Sequence, residues 1–281
     1  MDNVVKTLPR KRGRPAGSRS QPQSGQSQSL SRGLQLLERL AEARHGISLV
    51  DLAQQVGMAP STTHRLLTTL EQAGFIQQDE ELGRWFVGVK AFTLGNAFLD
   101  HCDFVARARP YMHRLMEQAG ETVNLAVLDG NEAVFLAQVE CREMMRMIVK
   151  LGSRAPLHAS GVGKALLATM SEEDIAAVLH RRGLPRYTDN TITTPGELRE
   201  ELARIRRQGF ARDDEEHAVG LRCMAATLHD HQGKALAAIS LSGPRARIPD
   251  DRMLALGAMV AATAGEITAA LGGQRPARDE R

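Results

Sequence analysis

Pro60-Ser61-Thr62-Thr63-His64-Arg65-Leu66-Leu67-Thr68-Thr69-Leu70 is the stretch that decides the reading of this chain. Proline is preorganised for the first position of a helix, where its missing N–H leaves no bond unmade. The helical pattern runs from Pro60 to Ala73 and meets Gly74, a residue suited to a helix end. Thr63, Leu66, Leu67 and Leu70 fall at i, i+3, i+4 and i+7, which predicts a buried stripe. The opposite face then carries Ser61, Thr62, His64, Arg65, Thr68 and Thr69. Small hydroxyls with one arginine near a helix N-terminus suit phosphate and base-edge contacts in a major groove. A polar helix face is usually just solvated, so the neighbouring segments have to decide.

Working outward, a helix is expected from Leu30 to about Ala43, with Leu34, Leu37 and Ala41 on one stripe and Leu36 and Leu40 widening it. Ser48 is placed to cap a short helix, Leu49 to Val56, with Asp51 in its first turn. Gly57-Met58 makes the turn into the Pro60 helix. Two helices joined by a Gly-containing turn are how a helix-turn-helix is built. Beyond it, Phe75–Gln78 and Arg84–Val87 read as strands around Asp79–Gly83, a wing anchored by Trp85, the only tryptophan of the chain. Residues 30–90 are thus predicted to be a winged helix-turn-helix.

Charge distribution adds a second DNA-directed segment. The net +3 conceals residues 1–29, where six basic side chains face Asp2 alone, a local +5. Residues 30–90 hold six Lys/Arg against seven Asp/Glu, a local −1. Most of the electrostatic attraction therefore falls to the arm. Its Ser/Gln-rich composition predicts disorder. Within it, Arg12-Gly13-Arg14-Pro15 resembles an AT-hook core, slim enough for Arg12 and Arg14 to enter a narrow minor groove.

At 281 residues the chain has room for roughly two domains. It has no run of about 18 uninterrupted apolar residues, and its first 29 residues carry no apolar signal segment, so a cytoplasmic protein without a membrane partner is expected. Cys102, Cys141 and Cys223 are odd in number and scattered, which argues against a disulfide framework.

Lys90 to Gly120 reads as helix broken near Asp103, giving linker helices over 91–121. From Thr122 the period changes. Thr122–Leu128 and Glu132–Val139 form a predicted hairpin around Asp129-Gly130, and Met144–Val149 is a third predicted strand. Helices are expected at Ser160–Met170, at Ser171–Arg182 behind a Ser171/Asp174 capping box, and from Pro195 to Gly209. A second hairpin pairs Arg222–His229 with Lys234–Ser242, and a helix from about Pro249 to Leu271 closes the unit. Residues 122–272 are thus an α+β domain on a mostly antiparallel sheet, followed by a tail over 273–281.

A four-residue turn at 230–233 would put Cys223 opposite Ser240, with Ser242 on the same face. Such a patch suits either a small-ligand pocket or serines facing solvent. Four rivals are weaker. Gly161-Val162-Gly163-Lys164 lacks the glycine at 158 and the Ser/Thr at 165 of a phosphate loop. A Cys-dependent enzyme built on Cys223, His217 and Asp213 is not enforced by their spacing. Neither His229 with His231 nor His101 beside Cys102 brings a third metal ligand, and no metal or cofactor is expected. A purely architectural DNA-binding protein would not need residues 122–272.

Taken with the Pro60–Leu67 helix, Gly209-Phe210-Ala211-Arg212-Asp213-Asp214-Glu215-Glu216-His217-Ala218-Val219-Gly220-Leu221-Arg222-Cys223 resembles the IclR family of bacterial regulators. Gly120–Asn124, Gly130–Val134, Leu157–Gly161 and Ile239–Pro244 resemble its allantoin-utilisation subgroup. The resemblance implies a GAF-like effector domain and glyoxylate, or a similar small carboxylate, as ligand. It places the contacts on Ser160, Gly161, Val162, Asp213, Cys223, Ser240 and Ser242. It implies a homodimer or dimer of dimers on a pseudo-palindromic double-stranded operator, controlling genes of glyoxylate or allantoin metabolism. An activator answering another 2-oxo acid such as pyruvate is the alternative.

Overall fold

The computed structural model describes residues 27–100 and 103–274, so Arg12, Arg14, His101 and Cys102 lie outside the described residues. The chain divides into two compact units, Met1–Phe98 and Leu99–Arg281.

In the first unit, α1 (Gln28–Glu42), α2 (Leu49–Gln55) and α3 (Pro60–Gln72) precede a wing of β2 (Ile76–Asp79) and β3 (Arg84–Val87). A two-residue β1 (Ile47–Ser48) joins β3 on its other side, giving the order β1-β3-β2. Ser48 Oγ accepts the Asp51 N–H at 3.2 Å and donates to Asp51 Oδ2 at 2.7 Å, which fixes where α2 begins. Leu36, Leu40, Ile47, Leu52, Leu67, Ile76 and Trp85 form one buried cluster. Trp85 stands opposite both Ile47 and Gln78 across the two ladders, so one large ring ties the wing to the helices. The α1 stripe is centred differently from the sequence expectation. Leu36 and Leu40 are its buried pair, while Leu34 and Ala41 are exposed. Gly46 adopts φ +67°, and a Cβ there would stand 2.5 Å from the Phe86 ring; only glycine gives both the backbone and the room. Helix α4 (Val89–Asp100) follows β3.

The second unit opens with α5 (Asp103–Ala119). Its sheet has the order β6-β5-β4-β9-β8-β7, with every pairing antiparallel. The strands are β4 (Thr122–Asp129), β5 (Glu132–Val139), β6 (Arg154–Pro156), β7 (Ala211–Asp214), β8 (Leu221–His229) and β9 (Ala235–Pro244). Alternation divides the two faces. Val123, Leu125, Met224, Leu228, Ile239 and Leu241 pack towards α5 and α9 (Asp250–Ala270). Ala126, Ala211, Ala225 and Ala238 face the other way, towards α6 (Gly161–Leu167), α7 (Glu172–Arg182) and α8 (Pro195–Gln208). Alanine on four strands leaves space for α6 to lie close against the sheet. The length and composition of α9 would also suit a membrane span, but its Met253, Leu256, Val260, Ala264 and Ile267 are buried in the core.

Three expectations change. Met144–Val149 is not a strand; Met144 is almost fully exposed, and the third strand is Arg154–Pro156. The helix after Ser160 ends at Leu167 rather than Met170. Cys223 faces Ser242 rather than Ser240, because His229 lies opposite Ala235, one residue beyond a four-residue turn, and the β8–β9 register shifts by one more between Leu228 and His229. That two-residue slip preserves the faces, whereas a slip of one would have reversed every side chain.

Candidate functional site

In the first unit, α3 presents Ser61, His64, Arg65 and Thr69 exposed, with Thr62 and Thr68 half-buried. Thr63 and Leu67, both fully buried, hold the opposite side to the core. Thr68 Oγ1 donates to the His64 carbonyl at 3.0 Å and Thr69 Oγ1 to the Arg65 carbonyl at 2.9 Å. These hydroxyl protons are committed to the helix, so the two threonines offer a partner only acceptor lone pairs and methyls. Arg65 is the face's one full-time cationic donor. Arg84 Nη1 donates to the His45 carbonyl at 3.0 Å, bracing the wing against the α1–β1 turn.

In the second unit, the hairpin registers gather the polar residues on the α6 side of the sheet. Asp213 is opposite Cys223, Cys223 opposite Ser242, and Ser240 lies between Ala225 and Asn124. Asn124 Nδ2 donates to Ser242 Oγ at 3.4 Å and Gln138 Nε2 donates to Asn124 Oδ1 at 2.7 Å. A polar row therefore crosses β5, β4, β9, β8 and β7. One member is left over: among the described residues, Ser240 Oγ is buried without a hydrogen-bond partner. Such a group costs stability unless something binds it.

Ser160 closes the row from above. Its Oγ caps α6 by accepting the Gly163 N–H at 3.1 Å and donates to the Pro156 carbonyl at 2.6 Å. Gly161 packs on Cys223, and Val162 is buried beside it. All the expected contacts in this unit, Ser160, Gly161, Val162, Asp213, Cys223, Ser240 and Ser242, are thus brought together and buried. A cleft of about 1000 Å³ runs between the hairpin turns, α6 and α7, among Leu128, Ala165, Ala225, Thr227, His229 and Lys234.

Residues that pattern reading missed surround this row. Lys164 is wholly buried and pairs with Glu216 and, at 3.3 Å, with Glu201. A buried ammonium is tolerated only when paired in this way. The Glu216 N–H donates to Asp213 Oδ1 at 2.8 Å. Burial, then the charge of Glu216, pushes the Asp213 carboxyl up to about 7. Burial, then Asp213, pushes the Cys223 thiol up to about 12. Held protonated, the thiol is a poor nucleophile, which removes the basis for a Cys-dependent reaction. Beside the cluster the His158 ring lies tilted 5.9 Å from Tyr187, and the Tyr187 ring meets His217 edge-on at 5.4 Å. Burial holds both imidazoles below their ordinary value.

The IclR helix-turn-helix domain model matches residues 29–80, and the model for the bacterial transcriptional regulator IclR C-terminal domain matches residues 96–269. The Transcriptional repressor IclR of Escherichia coli K12 is 50% identical over 274 residues, covering 97% of this chain and 100% of that protein. The HTH-type transcriptional repressor AllR of Escherichia coli K12 is 42% identical over 263 residues, covering 94% of this chain and 97% of that protein. An IclR homologue from Microbacterium hydrocarbonoxydans, solved in complex with 4-hydroxybenzoate, superposes with a TM-score of 0.77 at 25% identity, covering 86% of this chain and 98% of that one. With a helix-turn-helix unit and an effector-type unit both matched, the chain belongs to the IclR family of DNA-binding transcriptional regulators.

Proposed function

We propose that this chain represses transcription by binding a pseudo-palindromic operator as a homodimer or dimer of dimers, and that a small 2-oxo carboxylate, glyoxylate, controls its affinity for DNA. The observation that carries the effector reading is the convergence of Asp213, Cys223, Ser240 and Ser242 on one sheet face, with the Ser240 hydroxyl unpartnered. Donors waiting on an otherwise alanine-lined face suit a compact polar ligand rather than a large apolar one. Ser240 and Ser242 donate to the ligand oxygens, the Ser160–Val162 segment closes over it, and Asp213 contacts its polar end. The residues are buried, so ligand entry requires a covering segment to move, and the ligand acts by preferring one arrangement of the regulator over another. The 42% identity with AllR supports genes of allantoin and glyoxylate metabolism as targets, and the 49% identity with the Acetate operon repressor of Salmonella typhimurium supports an acetate operon as the alternative. That a related regulator was solved with 4-hydroxybenzoate supports the carboxylate class.

DNA contact is assigned to Ser61, Thr62, His64, Arg65, Thr68 and Thr69 in the major groove, and to Arg12 and Arg14 in the minor groove. Thermal unfolding with glyoxylate, pyruvate, glycolate and allantoin tests the effector reading. Glyoxylate raises the melting temperature of the wild-type chain, and a chain stabilised by allantoin alone would reverse the assignment.

A further inference from the structure

Behind Asp213 the second unit buries a charge cluster that the expected ligand contacts leave out. Lys164 on α6 sits between Glu216 and Glu201, and Glu201 also pairs with Arg204 one helical turn away. The Glu216 backbone holds Asp213, and Glu216 Oε2 is buried without a hydrogen-bond partner among the described residues. Two cations therefore face three carboxyls. With all three ionised, the cluster holds one excess negative charge directly behind the polar row. An anionic ligand placed against Asp213 would add a second, in a setting where like charges exclude one another.

Groups from every packed element face Asp213 or its partners. Lys164 comes from α6, Cys223 from β8, Glu201 from α8, Glu216 and His217 from the β7–β8 loop, and His158 from the segment before α6. Burial disfavours the charged form of both imidazoles, and a thiol carries no positive charge in either state, so none of them readily supplies the missing positive charge. We infer that Asp213 carries one proton in the ligand-bound site, with the like charge of Glu216 as the positioning group that keeps it there, so that a singly charged carboxylate binds together with a proton and a dianion is rejected. The inference rests on the effector reading above. Protonated Asp213 is a donor rather than a competing anion, and the Ser240 hydroxyl supplies another. An Asp213 carboxyl lifted to about 7 is half ionised in the free protein at neutral pH. Above that point the proton has to arrive with the ligand, and the dissociation constant rises up to about tenfold per pH unit.

Isothermal titration of the full chain with glyoxylate tests this, in buffers of different ionisation enthalpy near pH 8 and from about pH 6 to about pH 9. Close to one proton is taken up per site near pH 8, and affinity falls with rising pH as above. Oxalate, the dianion of similar size, binds at least about tenfold more weakly. Glu216→Gln moves the pH midpoint downward, because the like charge that held the proton on Asp213 is gone. Asp213→Asn, where it still binds, loses the pH dependence. Binding of glyoxylate without proton uptake, an unmoved midpoint in Glu216→Gln, or oxalate binding as tightly as glyoxylate each overturns the inference and leaves the effector site standing. No binding by any small carboxylate at any pH overturns the site and the inference together.

Discussion

Gly161 sits so close to Cys223 that a Cβ built on it would stand 2.7 Å from the Cys223 sulfur. The first turn of α6 and strand β8 are therefore in van der Waals contact where the polar row crosses the sheet. Any ligand held by Cys223, Ser240 and Ser242 also touches the start of α6.

Gly161→Ala has no room for its methyl. Overpacking of this kind costs about 1–3 kcal/mol, which lowers the melting temperature of the effector unit by roughly 2–10 °C. Glyoxylate stabilisation falls with it. A variant that melts like wild type and responds normally would show that α6 does not bear on the ligand.

Arg65→Ala removes the one full-time cationic donor on the exposed face of α3. A base-edge or phosphate contact of that kind carries about 1–3 kcal/mol, so operator affinity falls about fivefold to 150-fold in a gel shift. The thermal response to ligand stays as in wild type. Unchanged DNA affinity would move recognition off this face.

Trp85→Ala empties the centre of a seven-residue cluster. Truncating a buried aromatic ring costs about 3–5 kcal/mol, a large part of what a domain this small has in reserve. DNA binding is lost while ligand-induced stabilisation of the second unit persists. Loss of both would mean that the units do not fold independently.

Asp213 makes stability depend on pH. Its carboxyl is lifted from 3.8 to about 7 in the fold, so the folded protein holds a proton that the unfolded chain releases earlier. The stabilisation is complete at acid pH and is lost as pH rises towards and through about 7. Between about pH 5 and 8 the wild-type melting temperature falls relative to Asp213→Asn, followed by calorimetry. Parallel curves would contradict the buried, protonated carboxyl.

Much of this was readable because its causes are local. Pro60 at the head of α3, Ser48 at the cap of α2, and Ser171 accepting the Asp174 N–H at 3.1 Å depend on residues within one turn. What stayed hidden depends on partners far along the chain. Ala-Arg-Asp-Asp at 211–214 carries no strand alternation and becomes β7 only by pairing with β8. A turn one residue longer than expected and a one-residue irregularity at Leu228/His229 together displaced the expected Cys223–Ser240 pairing by two residues. Lysine is ordinarily exposed, and the partners that bury Lys164 lie 37 and 52 residues away. Of the row, Cys223, Ser240 and Ser242 were accessible to strand alternation; Asp213 and the Ser160–Val162 segment were legible only through the family resemblance, and the charge cluster behind them was not legible at all.

The central claim is that a small carboxylate at the Asp213–Cys223–Ser240–Ser242 row controls DNA affinity. A gel shift on the chain's own upstream DNA tests it most directly, with glyoxylate, pyruvate, glycolate and allantoin titrated separately against wild type and a Ser240→Ala/Ser242→Ala variant. The account predicts that glyoxylate changes wild-type affinity by about fivefold or more, while the variant binds DNA normally and ignores it. A double variant that still answers glyoxylate like wild type, or a wild type that answers none of the four compounds, would contradict it.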